Sequence, residues 1–338
     1  MALRRIFSLL FLVIAISILS FNCDYKNESY GNFDEIIVFS DTTLYEYVKP
    51  QFEQVFDRFI YTPNAERSFL IEFQSLDRLD LFQMRRNLVF LALLNGEDRV
   101  SKYIRNALSP ELHQAVRDGR IFQIFQKNFF ATDQMAIILC AVSAEVMKEN
   151  LKNYSDKIFE EFDNYHFQRL EKIMFLRAEQ TLLEEYFADN LGWTIRVQHD
   201  YFVAKETPDG NFVWLRRLKP DRNIFVYRFK ASALPSGQEW MYQLRDSLSF
   251  IYFESDSVER DDTYIKNITF QGKPAFHMIG VWQNHNLYIG GPFRSIFLFD
   301  EITKYVYMID YLVTAPGERK KPFLDQLEVM ARSFRLVH

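Results

Sequence analysis

Glycine and proline are scarce in this chain, 11 and 10 among 338 residues, which excludes collagen-like repeats and extended disorder. Cysteine is scarcer still. With only Cys23 and Cys140, the second inside the apolar run MAIILCAV, no disulfide framework is available, and Cys140 reads as a small buried hydrophobe. No stretch concentrates lysine and arginine, and the net charge is -5, so no phosphate-tracking surface exists and nucleic acid is not an expected partner. Local catalytic signatures are also missing: there is no G-x-S-x-G elbow, P-loop, H-E-x-x-H or C-x-x-C. The histidines, at 113, 166, 199, 277, 285 and 338, are too dispersed for a metal motif, and His277 with His285 lacks a third ligand nearby. No catalytic residue, metal or cofactor is therefore expected.

Aromatic residues are abundant instead. They reach 17%, with 34 Phe and 18 Tyr, and such side chains favour strands and large-area packing. A length of 338 residues with 48% hydrophobic content is enough for two domains, each with its own core.

The N-terminus, MALRRIFSLLFLVIAISILSFNC, places Arg4 and Arg5 before sixteen uncharged residues, Ile6 to Phe21. A positive segment followed by an apolar one predicts export, with residues 1–22 as a signal peptide. The apolar run is shorter than the roughly 20 residues of a spanning helix. Cys23 directly follows, and a cysteine there resembles the lipobox of bacterial lipoproteins, although Phe21 and Asn22 stand where that pattern has small residues. An ordinary secretory signal with an incidental cysteine is the plainer reading. If Cys23 is lipidated, Asp24 to Asn32 form a polar tether that spans about 30 Å when extended.

Residues 34–150 alternate strand and helix patterns and predict an N-terminal α/β domain with a mixed sheet. EIIVFSD (35–41), SFLIEFQSL (68–76), NLVFLALL (87–94), IFQIFQK (121–127) and QMAIILCAV (134–142) read as strands. Thr43 and Glu46 have capping-box spacing, and Ser109-Pro110 marks another helix start. Residues 151–191 contain neither Gly nor Pro, and apolar side chains recur at three and four residue steps. This predicts one long connecting helix, closed by Gly192 and packed against both domains. From 192 to 338 the pattern is strands and turns with helices near 238–250 and 322–334, an antiparallel-sheet α+β domain. The overall class is thus α+β / α/β in two domains.

Two stretches invite a chemical reading. Arg245-Asp246-Ser247 lies in a helix, where neighbours point apart, so one charge is expected to face the sheet. In GGPFRSIFLFDE (290–301), Gly290-Gly291-Pro292 predicts a sharp bend or bulge before a strand. Asp300 and Glu301 fall at the following hairpin turn, on opposite sides of the chain, which suits turn chemistry better than an acid and base pair.

Gly290-Gly291-Pro292-Phe293, Ser295, Asp300-Glu301, Ala315-Pro316-Gly317, Lys320 and Gln326-Leu327-Glu328 resemble the C-terminal signature of a domain-of-unknown-function family of lipoproteins found in Bacteroidota. Arg86-Asn87, Phe212, Trp214, Arg245-Asp246-Ser247 and Gly280-Val281-Trp282 are similar to that family's pattern, while Glu254 to Lys266 departs from it. The resemblance implies an envelope lipoprotein anchored by Cys23 and supplies no catalytic residue. The second domain also resembles the PsbP and Mog1 type of sandwich, a likeness of fold alone.

The expectation is a non-enzymatic binding or interaction protein, lipid-anchored to a membrane at the cell envelope, with a protein or small-molecule ligand. Candidate cleft residues are Trp214, Arg245, Asp246, His277 and Trp282. The alternative is a periplasmic or surface hydrolase whose site draws on Arg245, Asp246 and His277 at the cleft between the domains.

Overall fold

The computed structural model describes residues 26–60, 64–176, 178–253 and 256–338; the signal-like segment and Cys23 lie outside the described residues. Strand β1 (Glu35–Phe39) leads into helix α1 (Thr42–Phe56). The cap is Asp41 rather than Thr43: its carboxylate accepts from the backbone N–H groups of Thr43 and Leu44 at 2.9 and 3.2 Å. A small ribbon, β2 (Phe59–Ile60) and β3 (Glu66–Arg67), precedes β4 (Leu70–Gln74). Then come α2 (Leu79–Phe82), β5 (Asn87–Leu93), α3 (Arg99–Ala107), α4 (Pro110–Arg117), β6 (Gln123–Lys127) and β7 (Met135–Ala141). The sheet order is β4-β1-β5-β7-β6, parallel except for β6 at one edge. Helices cover both faces, which is why β5 and β7 are unbroken apolar runs rather than alternating ones. Cys140 sits in β7, and burial pushes its thiol up to about 11, so it is an inert core residue.

The single long helix expected over 151–191 is three helices: α5 (Ala144–Asn153), α6 (Ser155–Met174) and α7 (Thr181–Leu191). Between α6 and α7 the chain is held by tertiary bonds: Gln180 donates its backbone N–H to the Val197 carbonyl at 3.0 Å and its side-chain amide to the carbonyls of Gln198 and Tyr201. Arg196 stacks 3.8 Å over Phe175 and pairs with Glu179. The connector role falls to α6, which gives Ile158 and Phe162 to one core and Phe167, Leu170 and Met174 to the other.

Gly192 ends α7 in the left-handed conformation, φ 71°. Strand β8 (Trp193–Thr194) follows, then β9 (Phe202–Glu206), β10 (Phe212–Arg217), β11 (Asp221–Lys230), α8 (Glu239–Tyr252), β12 (Ser257–Phe270), β13 (Lys273–Asn284), β14 (Ile289–Asp300), β15 (Tyr305–Thr314), α9 (Lys321–Arg332) and β16 (Arg335–Leu336). The seven long strands form an antiparallel sheet of order β12-β13-β14-β15-β11-β10-β9. Alternation along each strand gives it two apolar faces; α8 covers one, and α6, α7 and α9 cover the other. Asp300 ends β14, where its buried carboxylate accepts from the backbone N–H and hydroxyl of Thr303 and so closes the turn to β15.

The two sheets meet along α6 and the segment before α9. Arg319 pairs with Asp34, and the Glu66 carboxylate accepts from the backbone N–H groups of Lys320 and Lys321 at 2.9 and 3.0 Å. Residues 26–32 are not the free tether expected of them. Ser29 N–H donates to Thr132 O at 3.0 Å, Thr132 N–H to Asn27 O at 2.9 Å, Tyr30 N–H to Met84 O at 3.0 Å, and the Arg86 side chain to Gly31 O at 2.8 Å. Otherwise unsatisfied backbone groups beside β5 and β7 bind the segment down. Among the described residues, no helix is long and apolar enough to cross a membrane.

Candidate functional site: an aromatic pocket on the second sheet

Gly290, Gly291 and Pro292 make no bend. They lie inside β14, paired in register with Gln283, Trp282 and Val281 of β13, and neither glycine has a positive φ. Crowding explains them instead: a β-carbon on Gly291 would stand 2.1 Å from the Val313 carbonyl oxygen and 3.1 Å from Trp282 Nε1. The missing side chain leaves room for the Trp282 indole.

Trp282 is 1% exposed, and its Nε1 has no hydrogen-bond partner among the described residues. It walls a cavity of about 160 Å³ together with Trp214, Tyr252, Phe253, Asn223 and Asp256. Trp214 packs 4.6 Å from Phe253 and donates its indole N–H to Asn223 Oδ1 at 2.8 Å. At the rim, Arg216 makes a two-pronged bond to Asp221, and Asn284 donates to Asp256 at 2.9 Å. The lining offers aromatic faces and hydrogen-bonding groups, among them the carboxylates of Asp221 and Asp256 and the hydroxyls of Tyr252 and Thr314. Such a surface can hold a small ring between aromatic faces and a polar rim.

Two further candidates hold this pocket's walls in place. Arg245 points from α8 into the sheet, donates to Asp310 Oδ2 at 2.9 Å and lies 3.6 Å over the Phe293 ring, while Ser295 Oγ donates to the same oxygen. Arg245 and Asp310 are fully buried. Burial pushes the Asp310 carboxyl up, against the pull of Arg245 and Ser295. Asp246 accepts the Val258 backbone N–H at 2.9 Å and ties α8 to the start of β12. The pair thereby fixes the helix whose C-terminal end carries Tyr252 and Phe253 to the pocket.

His277 is not with them. It lies on the opposite face of β13 from Trp282, because odd and even residues of a strand face opposite sides. Burial, and after it the charges of Arg294, Lys266 and Arg332, push its imidazole down to about 3, so it is neutral at ordinary pH. Glu328 on α9 takes ion pairs from Arg294 and Arg332 beside it. Arg245, Asp246 and His277 therefore form no joint hydrolytic site, and none of them lies at the seam between the sheets. His285 is in the exposed β13–β14 turn, 3.5 Å from Glu259. Among the described residues, no group of three or more His, Cys, Asp or Glu is placed to hold a metal ion.

The seam carries a site that sequence reasoning missed. A cavity of about 410 Å³ is bounded by Phe33, Asp34, His166, Arg319, Asp325 and Gln326. His166 Nε2 lies 2.9 Å from Asp325 Oδ2, Lys321 Nζ bonds the same carboxylate oxygen, and His166 Nδ1 has no partner among the described residues. Burial alone would push the Asp325 carboxyl up, but Lys321 and His166 hold it well below the usual range. The partners are 159 residues apart, and no local signal links them.

Two families match the chain, each described as a domain of unknown function: DUF8532 over residues 29–175 and DUF4837 over residues 180–333. No curated protein matches it. Among solved structures, the Saccharomyces cerevisiae Ran-binding protein Mog1p is 13% identical with a TM-score of 0.30, and the match covers 43% of this chain and 90% of that one. Cyanobacterial PsbP (CyanoP) from Synechocystis is 7% identical with a TM-score of 0.30, covering 43% and 86%. LpqN of Mycobacterium tuberculosis, described as involved in cell envelope biogenesis, is 10% identical with a TM-score of 0.29, covering 43% and 83%. Along nearly all of its described body, this chain is similar to two domains of unknown function, one spanning each sheet.

Proposed function

We propose that this chain is a lipid-anchored protein of the bacterial cell envelope, of the kind found in Bacteroidota, that captures a small polar ligand without transforming it. The anchor is Cys23, directly after the signal-like segment. One observation carries the capture: Trp214 on β10 and Trp282 on β13, with β11, β15 and β14 between them, wall the same cavity. Its 160 Å³ corresponds to about five waters, room for a single ring. Aromatic faces with a rim of Asn, Asp and Arg suit a sugar ring, which presents an apolar face and a belt of hydroxyls.

Tryptophan fluorescence of the full-length chain, titrated with a panel of neutral and amino sugars, tests this. A saturable change with one of them, weakened about tenfold or more in Trp214→Ala, is expected. A flat response to every sugar overturns the ligand class.

A hydrolase is the second reading, favoured by the buried His166 and Asp325 pair at the seam cavity, where the imidazole has one nitrogen held and the other unpartnered. Screening ester and glycoside substrates with the wild-type chain beside His166→Gln decides it. Turnover that vanishes in the variant supports the hydrolase, and no turnover in either removes it.

A further inference from the structure

The bound course of residues 26–32 fixes where the chain leaves the body. Lys26 Nζ donates to the carbonyls of Asn128 and Phe129 at 2.7 and 3.0 Å, at the tip of the β6–β7 hairpin. Cys23 is three residues earlier, and three residues span at most about 11 Å. The described body therefore begins at that tip.

The surface around the tip has the chemistry of a membrane-facing patch. Lys26, Lys127 and Lys172 lie around it with the acids Glu28 and Asp133, and Lys172 reaches Asp133 at 2.9 Å, which places the last turn of α6 beside the hairpin. That turn exposes Ile173, Leu176 follows it, and Tyr30 and Leu81 are exposed beside the bound segment. Lysines interleaved with exposed apolar side chains suit an anionic lipid interface, where the ammonium groups meet head groups and the apolar groups enter the boundary.

We infer that the lipidated protein rests on an anionic bilayer through the β6–β7 hairpin tip and the end of α6. This rests on acylation of Cys23. The body then stands with the N-terminal ends of β5 and β7 toward the membrane, because the bound segment bonds Arg86 and Thr132 just before them. Their C-terminal ends, six residues further along, are about 20 Å away.

The test uses the full chain purified from a Bacteroidota host and placed in vesicles of phosphatidylglycerol and phosphatidylethanolamine that carry a nitroxide on the head group. A fluorophore goes on Lys127→Cys at the tip, or on Glu97→Cys, exposed beyond the C-terminal end of β5. Cys140 is buried and takes no label. Quenching several-fold stronger at 127 than at 97 is expected, with the difference shrinking in phosphatidylcholine vesicles. Equal quenching, or stronger quenching at 97, in a chain whose intact mass shows acylation overturns the orientation alone. A chain without acyl mass, fractionating like its Cys23→Ser variant, overturns the anchor and the orientation together.

Discussion

The two sheets solve burial differently. In the first, β5 and β7 are covered on both faces, and the buried polar groups near them, Asn87, Gln134 and the Arg169 guanidinium that donates to Asn87 Oδ1, sit at the strand starts, where Asn87 donates to the carbonyls of Phe33 and Glu35. In the second, ion pairs lie beneath helices on both faces: Arg245 with Asp310 under α8, and Arg294 with Glu328 under α9. A hydrocarbon interior needs little beyond volume and pattern, whereas each buried charge demands a partner in one position. The aromatic pocket belongs to the second sheet.

Substitutions can break or sharpen that contrast. Arg245→Ala leaves Asp310 without its partner and should cost about 4 kcal/mol in urea unfolding, while Arg245→Met with Asp310→Leu should return to within about 1 kcal/mol of wild type. A small loss in the single variant would mean that the charge pair does not fix α8. Leu91→Ala, in the hydrocarbon core, should cost about 3 kcal/mol and leave sugar binding unchanged once folded.

His277 gives the second sheet a pH dependence of its own. Its folded pKa, about 3, lies below the ordinary 6.5, so the unfolded chain binds the proton more readily. Stability is complete above about pH 6.5 and falls as pH drops toward 3, by about 2 kcal/mol at pH 5. Urea midpoints taken near neutrality and near pH 5 should show this slope, and His277→Gln should flatten it. Least affected is Arg260→Ala: its pair with Glu239 is exposed on both sides, and no resolvable shift of the urea midpoint is expected.

Much of the element order was readable because periodicity reports burial directly: unbroken runs marked the wrapped strands, and alternation marked the second sheet. What escaped depends on distant partners. The chain between α6 and α7 is held by residues 196–201, and Gly291 is a glycine because of Val313 and Trp282 rather than because of a turn. The bound segment 26–32 meets backbone groups a hundred residues away, and His166 meets Asp325 only through the fold. Trp214 and Trp282 were legible as candidates because large amphipathic rings stand out, yet their shared cavity required the strand order.

The most direct test is native mass spectrometry of the chain purified from a Bacteroidota membrane, beside Trp214→Ala. The account predicts a chain that begins at Cys23, carries acyl mass and holds a sugar-sized ligand that the variant loses. A chain that begins elsewhere without acyl mass, or a ligand retained fully by Trp214→Ala, would contradict it.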